Sequence, residues 1–386
     1  MKTLIKNADL ILDSWSEMPE ASLLIEDGFV SAVYGTGEMC PEVADEVIDC
    51  NGDAVYPGFI DLHVHGACGK DFIQGKESVG PASLNMAEDG TTAFLTSLTV
   101  ESPEDTLATL ESLSQHREEG AVCLGVHMEG PYLSVQYKAL MDERYLRDPS
   151  MVELQEMIEA SHHTIRTMTV APERKGMREF IPQLVKEHII PMIGHTACTC
   201  EEAEQAHLLG ARGFTHLYNA MSQHTHRDPG CVTAAFLHDD MIKELIPDGF
   251  HTDAKVVEMT YRCLGPYQIM MITDAMLGKG MPDGDYVFSG LSCHKEDVHV
   301  RVKETGRIAG SAFGMIDGFR FMSDLVHPSK PEMCALSSGN AARLLQDPTR
   351  GNLRPGARGD IAILSPDLRV QRTMVAGKTV YQRNSH

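Results

Sequence analysis

From about residue 57 onward the sequence repeats one unit: a short apolar run, a polar residue where the run ends, then a stretch long enough for a helix. Eight such runs occur, at 58–66, 91–99, 123–130, 166–173, 189–196, 213–220, 244–252 and 267–276. Apolar character sustained over strand length marks strands buried on both faces, as in a parallel sheet covered by helices. Eight strands alternating with helix-length segments predict an α/β chain folded as a (β/α)8 barrel of the TIM type. A β-rich stretch near 285–310 reads as an insertion after the eighth strand.

The two ends follow a different rhythm. Residues 1–56 carry short strand-like runs broken at Asp27-Gly28 and Asn51-Gly52, dipeptides suited to tight hairpin turns. The C-terminus echoes them, with runs at 359–367, 369–377 and 378–382 separated by Pro, Asp and Gly-Lys. We expect the ends to share one small β-sandwich domain, 1–56 plus 355–386, beside a barrel domain of 57–354.

Bulk properties narrow the function classes. A net charge of -22 repels the phosphate backbone of nucleic acids and anionic membrane surfaces, so neither is expected as a partner. No stretch approaches the roughly 20 apolar residues of a membrane span, and Asp9 and Asp13 interrupt the N-terminus too early for a signal-peptide core. Ten cysteines at irregular spacing, including a lone Cys198-x-Cys200, suit free thiols in a cytoplasmic protein.

The chemistry gathers where the apolar runs end, the face on which barrels build active sites. His63 and His65 lie two apart on the first strand, so both imidazoles face one side and can reach one ion. His224-Thr-His226 repeats that spacing in a loop, where the argument does not hold. Glu129 ends the third strand before the Gly130-Pro131 turn, in position for a carboxylate to bridge two cations. His195 and His216 end the fifth and sixth strands, and Asp274 follows the apolar eighth, a place that also suits a helix N-cap. Three His/Glu ligands with an open position describe a catalytic metal site, and the chemistry such a site favours is hydrolysis. No glycine-rich nucleotide loop follows a strand, and no G-x-S-x-G nucleophile turn is present.

Read in order, the motifs 56–66, 127–133, 194–196, 215–221, 226–230, 248–251, 273–275 and 309–312 resemble the signatures of the N-acetylglucosamine-6-phosphate deacetylase family of the amidohydrolase superfamily. The resemblance implies that Glu129, His195 and His216 hold the principal metal and that Asp274 is the general acid/base. Keeping His63 and His65 resembles the two-metal members, which implies two Zn or Fe ions per chain. It implies sugar-phosphate contacts at Asn219, Ala220, Arg227 and His251, with His226 as an adjacent candidate. It also implies a homodimer in which Arg227 reaches the neighbouring site.

One departure stands out. Many members carry Lys-Gly-Ala-His after the Glu-Gly-Pro motif, where the His touches substrate; this chain reads Lys138-Ala139-Leu140-Met141. The expected activity is removal of acetate from N-acetylglucosamine 6-phosphate or a related amino-sugar phosphate. Two alternatives stay open: another amidohydrolase acting on an N-acyl or cyclic amide, and a non-catalytic sugar-phosphate sensor on the same fold. A carboxylated lysine ending strand four, common in cyclic-amide hydrolases, has no counterpart, because that run ends Val170-Ala171-Pro172-Glu173.

Overall fold

The computed structural model describes residues 1–40, 44–288 and 290–384. Eight parallel strands pair in sequence order: β1 (Phe59–Val64), β2 (Thr91–Leu98), β3 (Val122–Met128), β4 (Ile165–Val170), β5 (Ile190–Ile193), β6 (Gly213–Phe214), β7 (Ile242–Leu245) and β8 (Ile269–Met271). The ring closes through the chain just beyond β8, where the Asp274 N–H donates to His63 O at 2.9 Å and the His65 N–H to Ala275 O at 2.7 Å. Helices return the chain after each strand, from Val79–Glu88 to Met315–Val326. The eight-strand (β/α)8 reading therefore holds. No helix among the described residues is long and apolar enough to cross a membrane.

Strand β1 shows how the pattern sets the site. Ile60 and Leu62 join an apolar cluster with Ala93, Leu95, Met270 and Ile272. The alternate residues Asp61, His63 and His65 are buried on the other side, inside the barrel. Asp61 accepts hydrogen bonds from Thr273, from Oγ1 at 2.5 Å and from N–H at 3.3 Å, which lock β1 to the segment carrying Asp274.

The later strands are shorter than the apolar runs suggest, β8 spanning only Ile269–Met271 and β5 only Ile190–Ile193. Strand β6 pairs only over Gly213–Phe214, because His216, Tyr218 and Ala220 take left-handed backbone (φ 31°, 76° and 47°) that leaves the ladder. Strand β7 ends at Leu245, and the following loop is organised by Asp248, whose carboxylate accepts the N–H groups of Phe250 and His251 at 2.8 Å each.

The chain ends share one eight-stranded sheet, in which Ala54–Pro57 pairs antiparallel with Ile361–Leu364 and parallel with Lys2–Asp13. It surrounds its own apolar cluster, including Ile5, Leu10, Leu23, Val55, Ile361 and Met374. The Asp27-Gly28 turn joins Ser16–Glu26 to Phe29–Tyr34 with φ of 50° and 87°, the double positive conformation that favours this dipeptide.

The insertion after β8 is a four-stranded antiparallel sheet, Gly284–Phe288, Leu291–Glu296, His299–Val302 and Ile308–Ser311. Its last strand returns to the barrel mouth, where the Ser311 N–H donates to Asp274 O at 3.0 Å. The insertion thus forms a wall beside Asp274.

Candidate metal centre and substrate pocket

Six side chains from five strand ends converge on one buried point. Glu129 is central: its Oε1 lies 3.0 Å from His195 Nε2, 3.1 Å from His216 Nε2 and 3.4 Å from His63 Nε2, and its Oε2 lies 3.4 Å from His65 Nε2. Asp274 Oδ1 stands 3.2 Å from His65 Nε2 and 3.7 Å from His63 Nε2. Two ligand groups result, Glu129 with His195 and His216, and His63 with His65 and Asp274, each with its donor atoms within 4.8 Å of one another. Atoms bonded to one ion at about 2.0–2.1 Å are separated by roughly 3–3.5 Å, the spacing found here.

Local backbone strain aims these groups inward. His195, His216 and Asp274 adopt φ of 46°, 31° and 48°, left-handed values that L-residues enter at about 1–3 kcal/mol each. Asp274 begins no helix; the chain after it turns back along the barrel mouth.

The outer nitrogens are held by acceptors, so the inner ones face the centre. His63 Nδ1 pairs with Glu244 Oε2 at 3.0 Å, His65 Nδ1 with Ser97 O at 3.1 Å, and His195 Nδ1 with Tyr137 O at 2.8 Å. Such partners set the tautomer of a metal-binding imidazole. The Nδ1 of His216 is buried without a partner.

Whether these residues fit a metal is tested by an orphaned atom. His63 Nε2 is buried, has no hydrogen-bond partner and points at Glu129 and Asp274, an arrangement that a cation between them satisfies. The electrostatics agree. Burial opposes charge on Glu129, yet hydrogen bonds from His195 and His216 and the nearby charge of His63 outweigh it and hold its carboxyl well below the ordinary range. Burial likewise disfavours a charged His63, but Glu244 and Asp274 pull its pKa well above the usual imidazole value. The cavity thus demands positive charge where an ion would sit.

His127, inside the same rim, is a structural contrast. Its Nδ1 lies 2.9 Å from Ser97 Oγ and its Nε2 2.8 Å from Thr169 Oγ1, so both nitrogens are occupied. Burial, then the charge of His63, pushes its pKa well below the usual value, and it stays neutral.

Above the centre opens a cavity of about 590 Å³. Glu129, His195, His216 and Asp274 form its floor, and Asn219, Ala220 and His251 its wall. His251 Nδ1 is fixed by Asp248 Oδ2 at 2.7 Å. The 138–141 segment contributes Leu140 and Met141, an apolar stretch of lining. His226 and Arg227 do not line this cavity; they are exposed on the loop whose base is the His224–Pro229 bridge.

The residue that sequence reasoning missed is Glu244. One of its oxygens contacts His63 Nδ1 and also accepts the His216 backbone N–H at 3.1 Å. A carboxylate inside an apolar strand, next to an equally buried Lys243, was the available signal.

The amidohydrolase family model matches residues 54–380. The chain belongs to the amidohydrolase family. Among amidohydrolases it is 31% identical to the N-acetylgalactosamine-6-phosphate deacetylase of Escherichia coli, over 97% of this chain and 99% of that one. It is 33% identical to the N-acetylglucosamine-6-phosphate deacetylase of Bacillus subtilis, over 92% of each chain. Among solved structures, a Mycobacterium smegmatis N-acetyl-D-glucosamine-6-phosphate deacetylase, an aspartate-to-alanine variant in complex with N-acetyl-D-glucosamine-6-phosphate, superposes with a TM-score of 0.91. That pair is 30% identical, over 98% of this chain and 99% of the other. Within the amidohydrolases the chain thus falls in the N-acetylglucosamine-6-phosphate deacetylase family. The superfamily is metal-dependent, and the two ligand groups described above are the candidate sites in this member.

Proposed function

We propose that this amidohydrolase removes acetate from an N-acetylated amino-sugar 6-phosphate, N-acetylglucosamine or N-acetylgalactosamine 6-phosphate, leaving the free amine. The observation that carries the reading is the Glu129 carboxylate with four imidazoles around it, beneath a cavity sized for a small molecule. Full-length similarity to deacetylases of both sugar phosphates supports the substrate class.

The ligand assignment is that Glu129, His195 and His216 would hold one divalent ion and that His63, His65 and Asp274 would hold a second. The imidazole-rich set favours Zn or Fe. A divalent cation held there supplies Lewis acidity, which acidifies water and polarises an amide carbonyl. The proton is moved by Asp274: it takes one from the attacking water, then delivers it to the nitrogen of the breaking amide, since an amine leaves poorly unprotonated. Asn219, Ala220 and His251 position the sugar phosphate.

Arg227 is assigned the phosphate, in the active site of a second subunit. Its exposure at a loop tip, away from its own chain's cavity, supports a reach across a homodimer. Guanidinium geometry suits phosphate oxygens. Ten free cysteines suit a cytoplasmic setting. The terminal segments, 1–56 and 355–386, with a sheet and apolar cluster of their own, are assigned as a small domain beside the barrel domain of 57–354.

The test is acetate release from a panel of phosphorylated and unphosphorylated N-acetyl sugars and N-acyl amino acids, with metals counted by elemental analysis. Release confined to the sugar phosphates, with about two ions per chain, is expected. Activity on N-acyl amino acids alone would overturn the substrate class, and a count that never exceeds one ion would overturn the two-ion assignment.

A further inference from the structure

At the opposite end of the barrel lies a second group of metal-ligating side chains that the catalytic reading does not use. His207 sits in the last turn of the helix Cys200–Leu209, before β6. His238 caps the end of the helix Cys231–Leu237, and Asp240 follows in the turn that feeds β7. Segments leading into barrel strands lie on the face away from the active-site loops. The cluster is therefore remote from Glu129 and its partners.

Its geometry is that of a ligand set. One donor atom from each of His207, His238 and Asp240 lies within 4.8 Å of the others. His207 Nε2 is 3.4 Å from Asp240 Oδ2, and the two imidazole rings are 4.6 Å apart between centroids. His238 Nε2 is buried and has no hydrogen-bond partner; the nearest carboxylate oxygen, Glu204 Oε1, is 4.0 Å away, beyond hydrogen-bond reach. Glu204 lies three residues before His207 on the same helix, hence on the same face.

We propose that Glu204, His207, His238 and Asp240 bind one borderline divalent transition-metal ion, with zinc as the representative. Two imidazoles and two carboxylates make an N2O2 set, which imidazole content directs towards Zn, Ni or Cu rather than Mg or Ca. Neighbouring imidazoles have little to offer each other, and an ion between them gives His238 Nε2 the partner that it lacks. Such an ion joins a helix to the turn before β7 and so braces the base of the barrel. That turn is already held by the buried Lys243, whose Nζ donates to His238 O at 2.6 Å and Met241 O at 2.9 Å. Preorganised ligands lose little freedom on binding. The histidines remain 17% and 21% exposed and Asp240 69%, so an ion enters from solvent.

The test titrates zinc into the metal-loaded enzyme and counts bound ions by equilibrium dialysis and elemental analysis. The parent is expected to bind one more zinc per chain than the double variant His207→Ala, His238→Ala, whatever number the catalytic centre holds. Asp240→Asn, a change at an exposed side chain, is expected to weaken that ion by about tenfold or more and to leave acetate release unchanged. Diffraction at the zinc edge should place an anomalous peak between His207 and His238. Equal zinc stoichiometry in parent and double variant, or an additional ion whose anomalous peak lies elsewhere, overturns the site. If the double variant does not fold, the affinity of Asp240→Asn decides: binding as tight as in the parent, with no peak at His207, counts against it.

Discussion

The Nδ1 of His63 lies 3.0 Å from Oε2 of Glu244, and that oxygen also receives the backbone N–H of His216. One carboxylate on β7 therefore orients a histidine from each ligand group. Glu244→Gln keeps the volume but removes the charge that steers His63. Loss of an outer partner of this type lowers metal affinity by about 10–100-fold. Competition with a chromogenic chelator measures it, and an unchanged affinity would show that the histidines are oriented without Glu244.

Asp274→Asn tests proton transfer. Asparagine keeps the size and an oxygen towards His65 but cannot carry the proton. Turnover is expected to fall by about 10²–10⁴-fold, the usual share of general acid-base catalysis, with metal content and substrate affinity kept. A metal-loaded variant with near-parental turnover would move the shuttle elsewhere, to His251 first.

Arg227→Ala is expected to raise KM for the phosphorylated sugar through loss of a contact contributing about 1.5–3 kcal/mol, while metal content stays the same. Because Arg227 is outside its own chain's cavity, mixing Arg227→Ala with Asp274→Asn subunits should restore activity: the subunit with intact Asp274 receives arginine from its neighbour. Absence of recovery in verified mixed dimers would place the phosphate contact within one chain.

Met141 lines the cavity, at the position where the resemblance to the family pattern Lys-Gly-Ala-His implies a substrate-contacting histidine. Met141→His is expected to change the ranking of sugars that differ at the 3- or 4-hydroxyl, read as kcat/KM over the panel. An unchanged ranking would remove position 141 from sugar selection.

Glu101, also on the cavity wall, has a carboxyl pushed up to about 7 by burial, then by Asp105 and Asp71. The folded state therefore binds a proton more tightly than the unfolded chain, so this group's contribution is full below the ordinary value of 4.5 and is lost as pH rises to about 7. Glu101→Gln should flatten the fall in Tm between pH 5 and 8. An equal fall in both proteins would assign the pH dependence to other groups.

The eight strands were legible because burial on both faces writes an apolar run into the sequence, and the terminal strands because tight turns favour Asp-Gly and Asn-Gly; Asp27-Gly28 closes a hairpin, whereas Asn51-Gly52 turns between two strands that each pair with Lys2–Asp13 and not with each other. The polar residues at strand ends were legible for the converse reason, since they stand out against runs that are otherwise mostly apolar. Three things were not. The early end of β6 follows from left-handed backbone at His216, Tyr218 and Ala220, which leaves no periodic trace. Glu244 read as an ordinary strand residue until β7 was set beside β6 and across from β1. The convergence of His63 and Asp274, 211 residues apart in the sequence, requires the barrel to close, with Asp274 N–H bonded to His63 O. Local sequence determined which residues end each strand, because period and turn chemistry act over a few residues; closure decided which of them meet around one point, because that distance is set by all eight strands together.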